Sequence, residues 1–493
     1  MRITKTTFIL ILCALAEGCA VGPDFRPPEA PSVKVYTPDP LAGTTASAAG
    51  ADGAAQRFVM EKDIPGQWWT LFRSEALDAL IRKALSRSPT IAAAEARLRE
   101  AEENLRARGG TVYFPSVDGS ISAIRQKSTS ASYGQPGAGS NTFTLFNASV
   151  NVSYTLDIFG GNRREMEALR ARVDYERFRL EASHLALTSN IVTSAVMEAS
   201  LRAQMQATRE IVDMLRKQLE LVSAKFEMGG ASRPDVLEQR TLLAQTEATL
   251  PPLEKELAKT RHQLAVYAGA FPGEGGIAEF HLESLDLPTD LPVSVPSALV
   301  RQRPDIRASE ELLHAACAQV GVATANLYPR ITLSGSLGSN AVKIEDLFTS
   351  GSSIWSLGAG LLQPLFRGGE LTAKRRAAIA AHDQALAQYR ETVLNAFRDV
   401  ADTLRALDLD AETLRAQADA AASARETLSS VESQYRIGSV NYISLLIAQR
   451  QYQIAYTNLV RARAARFADT AALFQALGGG WWNKDAGEKR SGG

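Results

Sequence analysis

Few residues of this chain carry reactive chemistry, and the one placed for a defined covalent step is Cys19. It closes the segment Leu15-Ala16-Glu17-Gly18-Cys19, which has the layout of a bacterial lipobox: cleavage ahead of the cysteine frees its amino group, and thiol and amine then take acyl chains. Each buried methylene adds roughly 0.8 kcal/mol of membrane affinity, so several chains together form a durable anchor. Residues 1–18 supply the matching export signal, with Arg2 and Lys5 ahead of the apolar run Phe8 to Ala16, too short to remain as a spanning helix. Glu17 stands where a small residue is usual, and ordinary signal cleavage beside a casual cysteine is the alternative reading.

The other reactive types form no constellation. His184, His262, His281, His314 and His382 lack any partner at metal-ligand spacing, and once Cys13 and Cys19 are set aside only Cys317 remains, so no Cys pair is left for a metal or a disulfide. A Gly-Lys-Ser/Thr phosphate cradle and a GxSxG nucleophile elbow are both missing from the sequence. The expectation is a protein with no catalytic residue, no metal and no cofactor. The 54 basic and 54 acidic residues cancel, which removes the bulk basic field that nucleic acid would need.

The elements explain more than the reactive groups do. Val150, Val152, Tyr154 and Leu156 alternate with Asn151, Ser153 and Thr155, and the same period of two recurs from Ser116 to Ala123, from Arg330 to Leu337 and from Trp355 to Leu361. Alternation of this length suits a transmembrane β-barrel, with Val150, Val152, Tyr154 and Leu156 as the lipid-facing row. A soluble antiparallel sheet with one wet face would alternate equally well; export and an anchor favour the membrane. Four strands cannot close a barrel, and open edges are not tolerated in lipid, so the chain must oligomerise. Two copies would supply eight strands and three copies twelve, and only the larger ring leaves an aqueous lumen. The Ser/Gly/Ala-rich stretches 126–141 and 339–352 are expected to be extracellular loops.

Between Gly161 and Gly229, and again between Gly369 and Gly438, proline is absent and Ala, Leu, Glu, Arg and Gln dominate. About 67 helical residues at 1.5 Å each reach on the order of 100 Å, more than a compact domain can hold. Leu386, Tyr389, Val393, Ala396, Val400, Thr403 and Leu407 follow a 3-4 spacing, and Ile211, Leu215, Val222 and Phe226 mark a matching stripe, seams made for helix partners. Gly229 and Gly438 lie 209 positions apart (438 minus 229), and Pro115 and Pro329 are separated by 214, so one unit has been used twice. The expected organisation is a signal peptide at 1–18 and an extended Pro/Ala/Gly-rich tether at 19–60. A first repeat at 61–290 holds a helix, strands near 112–125 and 143–158, a long helix near 162–228 and a return helix near 232–270. A second repeat at 291–480 holds a helix near 297–327, strands near 329–340 and 353–366, a long helix near 369–437 and a return helix near 441–478, and a tail covers 481–493.

Together with Trp68-Trp69-Thr70-Leu71-Phe72, Arg301-Gln302-Arg303-Pro304-Asp305-Ile306, Gln363-Pro364-Leu365-Phe366-Arg367-Gly368-Gly369 and Ala476-Leu477-Gly478-Gly479-Gly480-Trp481, the segment Cys19 to Phe25 resembles the TolC-like outer-membrane factors of the NodT lipoprotein type. The resemblance implies a homotrimer in the outer membrane of a Gram-negative bacterium. A twelve-stranded β-barrel would continue into a long α-helical barrel in the periplasm. It implies passive conduction, with a periplasmic adaptor and an inner-membrane RND-type pump as partners. It also implies that Glu227, Gly229, Arg233, Asp235, Arg436, Gly438, Asn441 and Tyr442 form the periplasmic tip, acting as gate and adaptor contact. Val440 stands where relatives carry an acid. Two other functions compete: the duct of a type I (ABC) secretion system, and a periplasmic coiled-coil adaptor or scaffold lipoprotein.

Overall fold

The computed structural model describes residues 20–39, 42–50, 52–129 and 140–483; Cys19 and the signal segment lie outside them. The described residues form two compact units, one drawn from 20–28, 97–176 and 308–389, the other from 29–96, 177–307 and 390–483.

The element order repeats. The first copy runs α1 (Glu75–Arg87), α2 (Pro89–Tyr113), β2 (Ser116–Thr129), β3 (Ser140–Leu156), α3 (Gly161–Glu227), α4 (Arg233–Glu247) and α5 (Leu250–Tyr267), after a short β1 (Arg57–Met60). The second runs β4 (Asp290–Val293), α6 (Pro296–Gln302), α7 (Pro304–Ala325), β5 (Arg330–Ala341), β6 (Ser353–Leu362), α8 (Glu370–Arg436) and α9 (Tyr442–Ala476). Each copy builds one helix of 67 residues, α3 and α8. The seam of α8 is buried at Tyr389, Val393, Ala396, Val400 and Leu407, with Leu404 rather than Thr403 at the intervening place. In α3, Ile211, Leu215 and Val222 are buried, whereas Phe226 at the end of the stripe is exposed because the helix stops one residue later.

Several expected elements differ. Each leading helix is two helices, because Pro89 and Pro304 lack the N–H that would donate the hydrogen bond continuing α1 and α6, and each proline instead opens the next helix. The first return helix, expected over 232–270, breaks at Ala248–Thr249 ahead of Pro251 and Pro252; the second contains no proline and runs 35 residues unbroken. The first strand starts at Ser116, since α2 continues to Tyr113, and the β2–β3 ladder reaches Thr129 and Ser140. Thus 126–129 and 140–141, read as loop from the Ser, Gly and Ala content of 126–141, are strand, β-forming Thr142, Phe143 and Thr144 carrying the ladder outward. Residues 130–139 are outside the described set. In the second copy β5 runs on to Ala341 and β6 ends at Leu362, short of the expected 366 because Pro364 cannot join a ladder.

The tether is not featureless. Its end is β1, which pairs in parallel with β4, Arg57 opposite Asp290 and Met60 opposite Val293, a contact the alternation pattern could not reveal because both strands are only four residues long. The strand β4 also straddles the boundary expected at 290/291. Arg466 of α9, wholly buried, donates to the backbone oxygens of Asp52 and Ala54 and to Gln56 Oε1, at 2.7, 3.0 and 3.0 Å.

The core of the second unit accounts for the aromatic motifs. Trp68 and Phe72 are both buried; Trp68 stacks on Phe474 and Phe72 packs tilted against Phe467 of α9, at 5.3 and 6.4 Å between ring centroids. Trp481 lies edge-on to Phe178 and donates its indole N–H to the Gln302 carbonyl at 2.6 Å, so the start of the expected tail is packed structure. The Arg303-Pro304-Asp305 motif is a junction: Arg303 makes a bidentate pair with Asp305 and also reaches Asp399 of α8 and the Ala476 carbonyl of α9.

Candidate functional site

In the first unit the strands form one antiparallel sheet in the order β2-β3-β5-β6. Its register lines up Gly119, Val150, Leu337 and Trp355 in one row and Val117, Val152, Gly335 and Leu357 in the next; Tyr154 opposes Leu333, and Leu156 opposes Ile331. Successive side chains point to opposite faces, so these rows share a face and the intervening ones share the other. The intervening rows are Asp118, Asn151, Ser336 and Ser356, then Ser116, Ser153, Ser334 and Gly358. One face of the sheet is apolar across four strands, and its opposite is polar.

The two faces behave as their chemistry requires. On the polar face side chains bond one another: Asn147 Nδ2 donates to Asn340 Oδ1 at 2.7 Å, and the hydroxyls of Ser120 and Ser149 meet at 3.0 Å. On the apolar face large side chains stand uncovered, Ile121 at 85%, Trp355 at 77% and Leu357 at 84% exposure. A contiguous apolar patch of this size in water marks an interaction surface. Val150 and Val152 are exposed on it, Tyr154 and Leu156 half-buried. Strands β2 and β6 each pair on one side only, leaving two open edges.

In the second unit both hairpins end alike. Gly229 and Gly438 take φ of +76° and +77°, a left-handed conformation that ends each long helix at little cost only with glycine. The Gly230 and Ser439 amides then bond back to the carbonyls of Lys225 and Gln434, at 2.7 and 2.9 Å. Ser232 caps α4 in a capping box, its amide donating to Asp235 Oδ2 at 2.8 Å, and Asn441 caps α9 by accepting from the Ser444 amide at 3.0 Å. Asp235 and Asn441 are therefore engaged in ending turns, while Glu227, Arg233 and Arg436 project as exposed charges.

Tyr442 sits inside. It is buried with Val222, Leu428, Leu445 and Ala448, and its hydroxyl donates to Oε1 of the buried Gln239, whose Nε2 donates to the Leu215 carbonyl at 3.1 Å. Burial, then the neighbouring Tyr435 and Asp235, push the Tyr442 phenol well above its ordinary range, so it stays a donor. The Lys225 ammonium lies 4.1 Å from the centre of the Tyr435 ring. Core and hydrogen bonds thus join α3, α4, α8 and α9 into a four-helix tip. Sequence reasoning missed Gln239, because a glutamine inside an α-helix carries no local signal of its partner.

Among the described residues no group of His, Cys, Asp and Glu is arranged to hold a metal, and no helix is long and apolar enough to cross a membrane. The latter says nothing of a β-barrel.

Comparison with known proteins fits this geometry. The sequence model of outer membrane efflux proteins matches the chain twice, over residues 80–270 and 295–479. The chain belongs to the outer membrane efflux protein family. The double match coincides with the two structural copies. The chain is 33% identical over 431 residues to the pyoverdine export outer membrane protein OpmQ of Pseudomonas aeruginosa, covering 86% of this chain and 89% of that one. It is 28% identical over 474 residues to nodulation protein T of Rhizobium leguminosarum bv. viciae, covering 96% and 92%. Among solved structures the outer-membrane channel OprN superposes with a TM-score of 0.84 at 28% identity, over 94% of this chain and 100% of that one. This family member is an outer-membrane efflux channel of TolC-like fold, with a large periplasmic part. The family is one of efflux ducts.

Proposed function

We propose that three copies assemble into the exit duct of a tripartite pump, each giving four strands to a twelve-stranded barrel and its long helices to a periplasmic tube. The observation that carries the reading is the register of the four-stranded sheet. It gathers Val117, Val150, Val152, Leu337, Trp355 and Leu357 onto one face, places mostly Ser, Asn and Thr on the other, and leaves the outer edges of β2 and β6 unpaired. In lipid an unpaired edge costs several kcal/mol per orphaned backbone group, so β6 of one copy must meet β2 of the next. Closure with the apolar face outward leaves a wall of small polar side chains around the lumen, with Asp118 the one charge in its central rows, which has little means of choosing cargo; selection falls to the proteins upstream.

Those partners are a periplasmic adaptor and a proton-driven RND-type pump in the inner membrane. The adaptor docks on the hairpin tips, where Glu227, Arg233 and Arg436 are the exposed charges and Gly229 and Gly438 set the shape of the turns. Asp235, Asn441 and Tyr442 fix the tip from within. Acylation of Cys19 holds the amino end in the outer membrane. Crosslinking in living cells, followed by purification through a tag and mass spectrometry, tests the assembly. Recovery of an adaptor with a proton-driven pump supports it; recovery of an ABC exporter instead would move the protein to type I secretion.

A further inference from the structure

The amphipathic pattern of the sheet reverses near one end. The β2–β3 ladder pairs residue for residue from Ser116 opposite Ser153 to Thr129 opposite Ser140, so the alternation of faces holds throughout. The face that carries Val117, Ile121, Val150 and Val152 continues through Ala123 and Phe146 to Arg125 opposite Thr144 and Lys127 opposite Thr142. The other face, polar as far as Ser122 and Asn147, turns apolar at Ile124 opposite Leu145 and at Phe143 opposite Gln126. Past Phe146 the two faces have exchanged chemistry.

The strand sets the height of the exchange. Phe146 lies 10 residues (156 minus 146) before β3 ends at Leu156, Thr144 lies 12 (156 minus 144) and Thr142 lies 14 (156 minus 142). At about 3.3 Å per residue and a tilt near 45°, these are roughly 23, 28 and 33 Å above Leu156, against an apolar band about 25 Å tall. Phe146 therefore stands at the upper border, where aromatic side chains are favoured, and Arg125 and Lys127 stand just beyond it. Both basic side chains are exposed. Neither 119–129 nor 140–156 contains Asp or Glu, so these charges have no acidic partner on their own strand or on the one beside it. They leave the same face two residues apart, about 7 Å, which lets both reach one headgroup.

We propose that Arg125 and Lys127 bind the phosphate groups of anionic lipids in the outer leaflet, one site in each copy. The proposal rests on the barrel reading, with the apolar face toward lipid. Hydrocarbon would exclude both charges, whereas a phosphate at the headgroup level lies at the height where the strand places them and gives each a charge-assisted hydrogen bond. A face surrounded by lipid at that height meets headgroups before it meets any other anion.

The test uses the full-length protein inserted in phosphatidylcholine vesicles and titrated with diphosphorylated lipid A, the retained lipid being counted by native mass spectrometry after release. The native protein is expected to bind this lipid about tenfold more tightly, or more, than the double variant Arg125→Gln with Lys127→Gln, and to bind the dephosphorylated lipid no better than that variant does. Arg125→Lys with Lys127→Arg keeps both charges and should keep the affinity. Arg330→Gln, which removes a charge from the polar face at the helix-side end of β5, should bind as the native protein does. Equal binding by the native protein and the double variant, or equal binding of the two lipids, overturns the proposal. So does displacement of lipid A by inorganic phosphate at like concentration, which would make this a site for free anions. The comparison of the two lipids uses the native protein alone, and therefore reads the site even where a variant folds poorly. A native protein that does not insert into the neutral vesicles refutes the barrel reading itself, and the site with it.

Discussion

Replacing Val150 by Arg, beside the control Asn151→Arg, separates a lipid-facing wall from any soluble sheet. The two residues are sequence neighbours on opposite faces, in rows completed by Gly119, Leu337 and Trp355 for Val150 and by Asp118, Ser336 and Ser356 for Asn151. Val150 lies six residues (156 minus 150) before β3 ends at Leu156. At about 3.3 Å per residue and a tilt near 45°, that is roughly 14 Å up a band about 25 Å tall, close to its midplane. An arginine there costs about 2–4 kcal/mol in each copy, and three copies bear it at once. Asn151→Arg loses two long side-chain bonds, an exposed one to Ser120 and a half-buried one to Ser149, and gains a cross-strand partner in Asp118, so its net cost stays within about 1 kcal/mol. Refolding into lipid vesicles across a urea series, with the folded trimer read by its heat-modifiable mobility on gels, measures both. The expectation is a large loss of folded protein for Val150→Arg and near-native folding for Asn151→Arg. Equal tolerance of the two, or greater damage from Asn151→Arg, would refute the assignment of faces.

Three further outcomes follow from single contacts. Tyr442→Phe keeps the ring in its core but leaves Gln239 Oε1 without its donor, and should cost about 1–2 kcal/mol, read as a lower Tm with unchanged outer-membrane insertion. Arg303→Lys retains the charge but not the fork shared by Asp305, Asp399 and the Ala476 carbonyl; a loss of about 2 kcal/mol in urea unfolding is expected, and a neutral result would count against the junction. Burial, then a hydrogen bond and repulsion from Asp410, raise the Asp469 carboxyl to about 8. Because its folded value exceeds the unfolded one, the native state binds the extra proton between about pH 4 and pH 8, and stability falls as pH rises through that window. Asp469→Asn, which keeps a donor for Asp410 without titrating, should therefore gain Tm over the native protein at pH 8 and show no gain near pH 4; a gain of equal size at both would exclude the titration as its cause.

The sequence alone determined whatever depends on periodicity and on the backbone habits of single residues. Two-residue alternation located the four sheet strands; the absence of proline and the closing Gly229 and Gly438 set two helices whose 67 residues agree with their expected length; and recurrence of the same marks revealed the duplication. These are local properties, written within a few residues of where they act. Export and the candidate anchor at Cys19 were legible for the same reason. Tertiary structure decided what depends on pairing across long separations. Register alone brought Val150 beside Leu337 and Asn151 beside Ser336, turning four alternating strands into a sheet with one apolar face. The four-residue pair β1 and β4 was hidden because neither strand is long enough to show a period. Tyr442, named for the gate and adaptor contact by the family resemblance, is buried by Val222 and hydrogen-bonded to Gln239, since a tyrosine carries apolar bulk and a polar end and only its neighbours determine which is used. The contacts that hold residues 20–25 were invisible for the strongest reason: Gly22, Phe159, Arg164 and Gly321 are scattered over some 300 positions (321 minus 22 is 299), and nothing but the folded chain brings them together.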